Sequence, residues 1–191
     1  MHDDPTITAT LHRASPSPFT GYTYRVIDDE YRGDPLSGIG SVIRGGRYNS
    51  PHSFEVLYSS DSRVTALTEV EALFGDIDQP RSPELTLTLA VQLTRALDLT
   101  DPVLREMLAT TEEELTAPYL EDQLRNGEAP TQRLGRLIFS TRRFSGIRVP
   151  SAARPGAENL VILPARFAPE ESVRIYDERG RWRQVRVGSP A

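Results

Sequence analysis

A chain of 191 residues with 38% hydrophobic and 26% charged residues can bury one core. Its net charge of −5 argues against a nucleic-acid-binding surface, which needs cations to neutralise phosphate. With no cysteine, disulfides, thiolate catalysis and zinc–thiolate sites are excluded, and His2, His12 and His52 are too scattered to suggest a metal site.

Residues 1–20 are rich in Ser, Thr, Pro and Asp, and the composition predicts a flexible N-terminal tail before a single domain over 21–191. The acidic start lacks an apolar run, so no signal peptide is read there. No stretch approaches the roughly 20 apolar residues of a membrane span. The expectation is a soluble, cytoplasmic protein with no membrane or nucleic-acid partner.

Tyr22, Tyr24 and Val26 alternate with Thr23 and Arg25, a strand pattern. Residues 31–53 hold five glycines and two prolines with little periodicity, which reads as a long structured loop of the kind that carries function. Phe54–Ser59 reads as a short strand. Asp61 or Ser62 can cap a helix whose apolar stripe would be Val64, Leu67, Val70 and Phe74, with Gly75 ending it. Leu85, Leu87, Leu89, Val91 and Leu93 alternate with small or polar residues and give the clearest strand.

Thr100 and Pro102 then open a helix, and Thr111-Glu112-Glu113-Glu114 is a capping-box pattern for another, broken at Pro118 and closed at Gly127. A further helix is predicted from about Thr131 to Phe144 with Leu134, Leu137 and Ile138 inward. Strands follow at Gly146–Val149, Asn159–Leu163, Val173–Tyr176 and Trp182–Val187, the last two joined around Glu178-Arg179-Gly180. This order is that of an α+β domain rather than a regular βαβ series.

The chemistry concentrates in Gly45-Gly46-Arg47-Tyr48-Asn49, Leu57-Tyr58 and Thr68-Glu69. A double glycine admits close backbone approach, and its amides can face an anion. Arg47 offers a planar fork suited to pyrophosphate, and Tyr48 and Tyr58 can stack on a flat heterocycle. Neither a Rossmann nor a Walker fingerprint accompanies them. Glu71 rivals Glu69, since the two fall on opposite flanks of the predicted stripe.

Across Tyr24 to Leu163 the sequence resembles the RES family, named for an arginine, a glutamate and a serine. The matching pieces are Tyr24-Arg25, Asp34-Pro35-Leu36-Ser37-Gly38-Ile39-Gly40, Gly45 to Asn49, Leu57-Tyr58, Thr65-Ala66-Leu67-Thr68-Glu69 and Asp98-Leu99-Thr100. Pro130-Thr131-Gln132 with Gly135, and Val149-Pro150-Ser151 with Asn159-Leu160, complete them. Many members carry Trp where this chain has Tyr48.

The resemblance implies an ADP-ribosyltransferase-like split β core with flanking helices, and a toxin that degrades NAD⁺ by cleaving its nicotinamide–ribose bond. Phosphate or water would accept the ADP-ribose, with no permanently bound cofactor. Transfer of ADP-ribose to a protein, or a non-catalytic binding module of the same fold, are the alternatives. By the same resemblance Glu69 is the catalytic carboxylate, Arg25 and Arg47 hold the NAD⁺ phosphates and Tyr58 lines the nicotinamide pocket. The family serine falls at Thr131 or at Ser151. The implied partner is an antitoxin with an Xre-like DNA-binding part. The chemistry is coherent, because breaking that bond builds positive charge on the ribose, which a fixed carboxylate can stabilise.

Overall fold

The computed structural model describes residues 1–74, 83–177 and 184–188. Gly75, and the Glu178-Arg179-Gly180 turn with Trp182, lie outside the described residues. Seven strands, β1 (Ser17–Asp28), β2 (Leu57–Ser60), β3 (Glu84–Asp98), β4 (Gly146–Pro150), β5 (Glu158–Ile162), β6 (Ser172–Ile175) and β7 (Val185–Val187), form a mixed sheet in the order β1-β2-β5-β4-β3-β6-β7. β1 also pairs antiparallel with β3 from Ser17 to Asp28, so the path β1-β2-β5-β4-β3 curls back on itself. The closure is weak at one place, because β1 and β2 share only the Tyr24–Ser60 pairing.

The alternation read in β3 holds: Leu87, Leu89, Val91 and Leu93 are buried while Thr86 and Gln92 are exposed. The two sheet faces serve two apolar clusters. Val161 packs with Ile147, Leu134 and Ile138, whereas its neighbours Leu160 and Ile162 pack with Leu89 and Val173.

The first cluster is covered by helices. Of these, α1 (Asp4–Arg13) replaces the tail expected over 1–20, and Ser17–Thr20 already belong to β1. The Asp3 carboxylate caps α1 by accepting the Thr6 N–H at 3.1 Å. Ile7, Thr10, Leu11 and Ala14 recur at helical spacing and are all buried. Composition concealed this face, because a threonine stands within it. α1 packs on α7 (Pro130–Thr141), and the Asp4 carboxylate accepts from both Arg133 and Arg136.

α7 buries Leu134, Leu137 and Ile138 as expected and ends at Thr141, where Arg142 turns left-handed at φ 58°. The expected loop over 31–53 contains a 3-10 turn at Asp29–Gly33 and the helix α2 (Ile39–Arg44). Ser62 caps α3 (Arg63–Phe74), its hydroxyl accepting the Thr65 N–H at 3.1 Å. Of the expected stripe of α3, Val64 and Leu67 are exposed, Val70 is half-buried and the Phe74 side chain lies outside the described residues; the buried positions among the described side chains are Thr65 and Ala66. Small side chains there let α3 lie close on β1 and β2, and this packing directs Glu69 toward the protein.

α4 (Pro102–Met107) is capped by Asp101 rather than Thr100, whose N–H and hydroxyl both turn back to Asp98. Thr111 caps α5 (Glu112–Thr116), and α6 (Leu120–Asn126) closes at Gly127 with φ 75°. Among the described residues no helix is long and apolar enough to cross a membrane.

A buried glutamate locks the sheet to its C-terminal arm. Glu171 is fully buried and accepts from the Thr94, Arg95 and Ala168 N–H groups, the Ser145 hydroxyl and the Arg95 guanidinium. Burial pushes its carboxyl up, but these donors outweigh burial and hold it below the ordinary value.

Because α1 is part of the core, Leu11→Ala should cost about 2–5 kcal/mol of unfolding free energy, as buried leucine truncations do. Urea denaturation followed by circular dichroism measures it. A loss below about 0.5 kcal/mol, the range of surface changes, would return residues 1–20 to the status of a tail.

Candidate functional site

Glu69 sits on the inner side of α3, where the β2 and β5 ends and the loop after β4 meet it. Its Oε1 accepts four hydrogen bonds: from the Ser151 hydroxyl at 2.6 Å, Asn159 Nδ2 at 2.6 Å, the Ala152 N–H at 3.1 Å and the Ala153 N–H at 3.4 Å. Oε2 makes no hydrogen bond among the described residues. One carboxylate oxygen is therefore fixed and the other is left available. The donors are themselves oriented. Ser60 Oγ donates to Asn159 Oδ1 at 2.7 Å, which settles which way the Asn159 amide points, and Ser151 Oγ accepts the Arg154 N–H at 3.1 Å. Glu71 is exposed and makes none of these contacts, so the structure separates the two glutamates that sequence pattern left open.

Arg25 lies beside the single pairing of β1 with β2. Its Nη1 donates to Tyr58 O at 3.1 Å and its Nη2 to Ser37 O at 3.2 Å, bridging β1, β2 and the loop before α2 where ladder bonds are missing. Its Nε is buried without a partner among the described residues. Burial pushes the guanidinium down to about 10, against the opposing charge of Glu55, and it remains a cation at neutral pH. Glu55 accepts both Arg186 donors and the Gly38 N–H, so the Ser37–Gly38 backbone is held from two sides.

The Gly46–Asn49 turn is closed by its own backbone. Gly46 N–H donates to Asn49 O at 2.8 Å, and Gly45 N–H to Ser41 O at 2.9 Å. The two glycine amides expected to face an anion are thus occupied within the protein. The glycines serve close approach instead: Gly45 has φ 75°, and a Cβ on Gly46 would lie 2.6 Å from the Tyr58 ring.

Arg47 leaves this turn toward the α5–α6 connection. Its Nη1 donates to Leu115 O and Ala117 O, and its guanidinium stands 5.2 Å from the Tyr119 ring centroid. Nε and Nη2 make no hydrogen bond among the described residues, which leaves part of the fork for a ligand. Burial pushes the phenols of Tyr48 and half-buried Tyr119 up, a rise that the Arg47 charge opposes and the Glu69 charge reinforces, so both charges lie within electrostatic reach of the same two rings.

One expected ligand contact is corrected. Tyr48 is 1% exposed and packs in the helical cluster, so its ring cannot stack on a heterocycle. Thr131 is 2% exposed, its hydroxyl has no partner among the described residues, and it lines a recess of about 200 Å³ together with Tyr119 and Asp122. Of the two serine positions, Ser151 touches Glu69 and Thr131 does not. Tyr58 is half-buried, and its hydroxyl accepts the Tyr48 N–H at 2.9 Å and donates to Asn49 Oδ1 at 2.8 Å. It pins the turn rather than offering a proton to a substrate. Asn159, Ser60 and Tyr119 were given no role from sequence, since ordinary Asn, Ser and Tyr on short elements carry no pattern.

Burial pushes the Tyr58 hydroxyl far above its ordinary value, overriding the Tyr48 N–H that favours the phenolate. An unfolded phenol ionises near pH 10. Above that pH the unfolded chain sheds a proton that the folded chain keeps, so stability falls as pH rises. Absorbance titration should show the Tyr58 phenol un-ionised until the protein unfolds. Tyr58→Phe should weaken the alkaline loss while costing about 1–3 kcal/mol at neutral pH, because two turn groups lose their partner. An ordinary midpoint for Tyr58 in the folded protein would contradict its place in the turn.

The RES domain family matches residues 23–184, which contain Arg25, Arg47, Glu69 and Ser151. Among solved structures, a chain of the M. tuberculosis MbcT–MbcA toxin–antitoxin complex is similar in fold, with a TM-score of 0.71, 22% identity and 90% of each chain covered. No curated protein matches in sequence. The match spans most of the chain and all the residues that meet at Glu69 and at the Gly46–Asn49 turn, and the chain belongs to the RES domain family.

Proposed function

We propose that this protein binds NAD⁺ and breaks its nicotinamide–ribose bond, passing the ADP-ribose to phosphate or water, and that it acts as the toxin of a toxin–antitoxin pair. The observation that carries the reading is the one-sided fixing of Glu69. A ribose losing its nicotinamide gains positive charge at the anomeric carbon. Glu69 Oε1 is saturated by four donors, so Oε2 is the oxygen that can face this charge or the ribose hydroxyls. A preorganised group of this kind is worth about 3–4 kcal/mol in the transition state.

Arg47, with its free donors, supplies a clamp for the pyrophosphate, and Arg25 supports it with positive charge from beside the β1–β2 pairing. Phosphate or water then bonds to the anomeric carbon as nicotinamide leaves with the bond electrons. Family membership supports the reading. The similar solved chain is part of a toxin–antitoxin complex, which supports a protein partner. The Xre-like character of that partner rests on resemblance.

Glu69→Gln should be a damaging isostere. The four donors select the amide oxygen for the Oε1 position, which leaves the NH₂ group facing the developing cation. kcat for NAD⁺ loss should fall about 10²–10³-fold while KM changes little. Glu71→Gln, in solvent, should keep wild-type rates. Chromatographic measurement of nicotinamide release checks both, and equal rates for Glu69→Gln and wild type would remove Glu69 from the reaction.

A further inference from the structure

Gln132 lies on the first turn of α7 and is fully buried. Its two Nε2 hydrogens serve three acceptors, Gly46 O at 2.9 Å, Asn49 O at 3.4 Å and Gln123 Oε1 at 2.6 Å, so one hydrogen is shared, while its Oε1 accepts the Ala129 N–H at 2.9 Å. Two backbone carbonyls on one side and an N–H on the other settle the orientation of the amide. The two carbonyls flank the turn from which Arg47 projects. One helical turn further on, a Cβ at Gly135 would lie 1.9 Å from Tyr48 O, so the helix is seated directly against the same backbone. The third acceptor, Gln123, belongs to α6, and the segment just before α6 supplies the Leu115 and Ala117 carbonyls that hold the Arg47 side chain.

We infer that Gln132 is a positioning residue for substrate binding: it clamps the Gly46–Asn49 turn from beneath and ties it to the α5–α6 segment, so that Arg47 is presented in one orientation. Gln132 itself is buried away from any ligand and acts only through Arg47. A primary amide of this length provides one N–H toward the Gly46 and Asn49 carbonyls, a second toward Gln123 Oε1 and an acceptor for the Ala129 N–H. The arrangement explains why a fully buried glutamine stands on a helix that also buries Leu134, Leu137 and Ile138.

The kinetic arm of the test rests on the NAD⁺ reading above, and the exchange arm does not. Gln132→Met keeps the volume and removes the donors. Gln123→Ala removes only the outer brace and serves if Gln132→Met does not fold. Hydrogen exchange of the Gly46, Tyr48 and Asn49 amides should become at least about tenfold faster in either variant, with β3 amides unchanged, as expected for loosening of one local unit. KM for NAD⁺ should rise about tenfold with kcat within about twofold, the size of one weakened charge-assisted contact. In an Arg47→Ala background the same change should add nothing, because its effect passes through Arg47. Unchanged exchange in the turn would overturn the proposal whether or not NAD⁺ is consumed. KM effects that multiply with those of Arg47→Ala would overturn it even if exchange accelerates. Faster exchange of the turn amides in the variants, with a wild type that consumes no NAD⁺, would refute the functional reading and support the clamp.

Discussion

Four donors converge on one oxygen of Glu69, and the organisation of the site follows from that convergence. A carboxylate on a helix surface ordinarily points to water and rotates. Here the Ser151 hydroxyl, the Asn159 amide and two successive N–H groups remove that freedom. Among the described residues this anion is held by neutral dipoles and by no cation, so its charge is not spent on an ion pair there. The cost of presenting it is distributed over β5, the loop after β4 and α3, which must all be in register. The paired strands β2 and β5 fix Ser60 opposite Asn159, and Ser60 in turn orients the Asn159 amide.

The cationic side of the site is built differently. Arg25 replaces strand pairing where β1 and β2 part after a single bridge, so its charge is embedded in the scaffold. Arg47 stands on a turn with little secondary structure of its own, which depends on side chains from elsewhere. Tyr58 holds the Tyr48 N–H and the Asn49 amide oxygen from one side, and Gln132 holds two carbonyls from the other. The anionic group is rigid because a sheet end and a loop hold it. The cationic group is rigid because buried polar side chains hold its turn.

Much of this architecture is legible in the sequence where period and burial coincide. β3 alternates cleanly because one face meets a core, and the Leu134–Leu137–Ile138 spacing finds α7 for the same reason. α3 misleads because its inward face carries Thr65, Ala66 and Glu69, so hydrophobicity marks the solvent side. The segment over 1–20 misleads because Thr10 stands within the buried stripe of α1. Glu69 and Glu71 are indistinguishable by pattern, since what separates them lies 82 and 90 residues further along the chain, at Ser151 and Asn159. Tyr48 and Tyr58 look alike as aromatic surfaces, yet packing buries the first and hydrogen bonding commits the hydroxyl of the second. Resemblance to the RES family identified Arg25, Arg47 and Glu69, which the structure places beside the β1–β2 pairing, on the turn and in the donor cluster. It left the serine open between Thr131 and Ser151, and of these Ser151 is the one that hydrogen-bonds Glu69.

The account turns on whether a carboxylate presented in this way breaks the bond between nicotinamide and ribose. The most direct measurement is the product mass after the full chain is incubated with NAD⁺, with and without inorganic phosphate. The account predicts free nicotinamide in both, with phosphorylated ADP-ribose when phosphate is present and ADP-ribose when water is the acceptor. NAD⁺ recovered intact from folded protein under both conditions would contradict it.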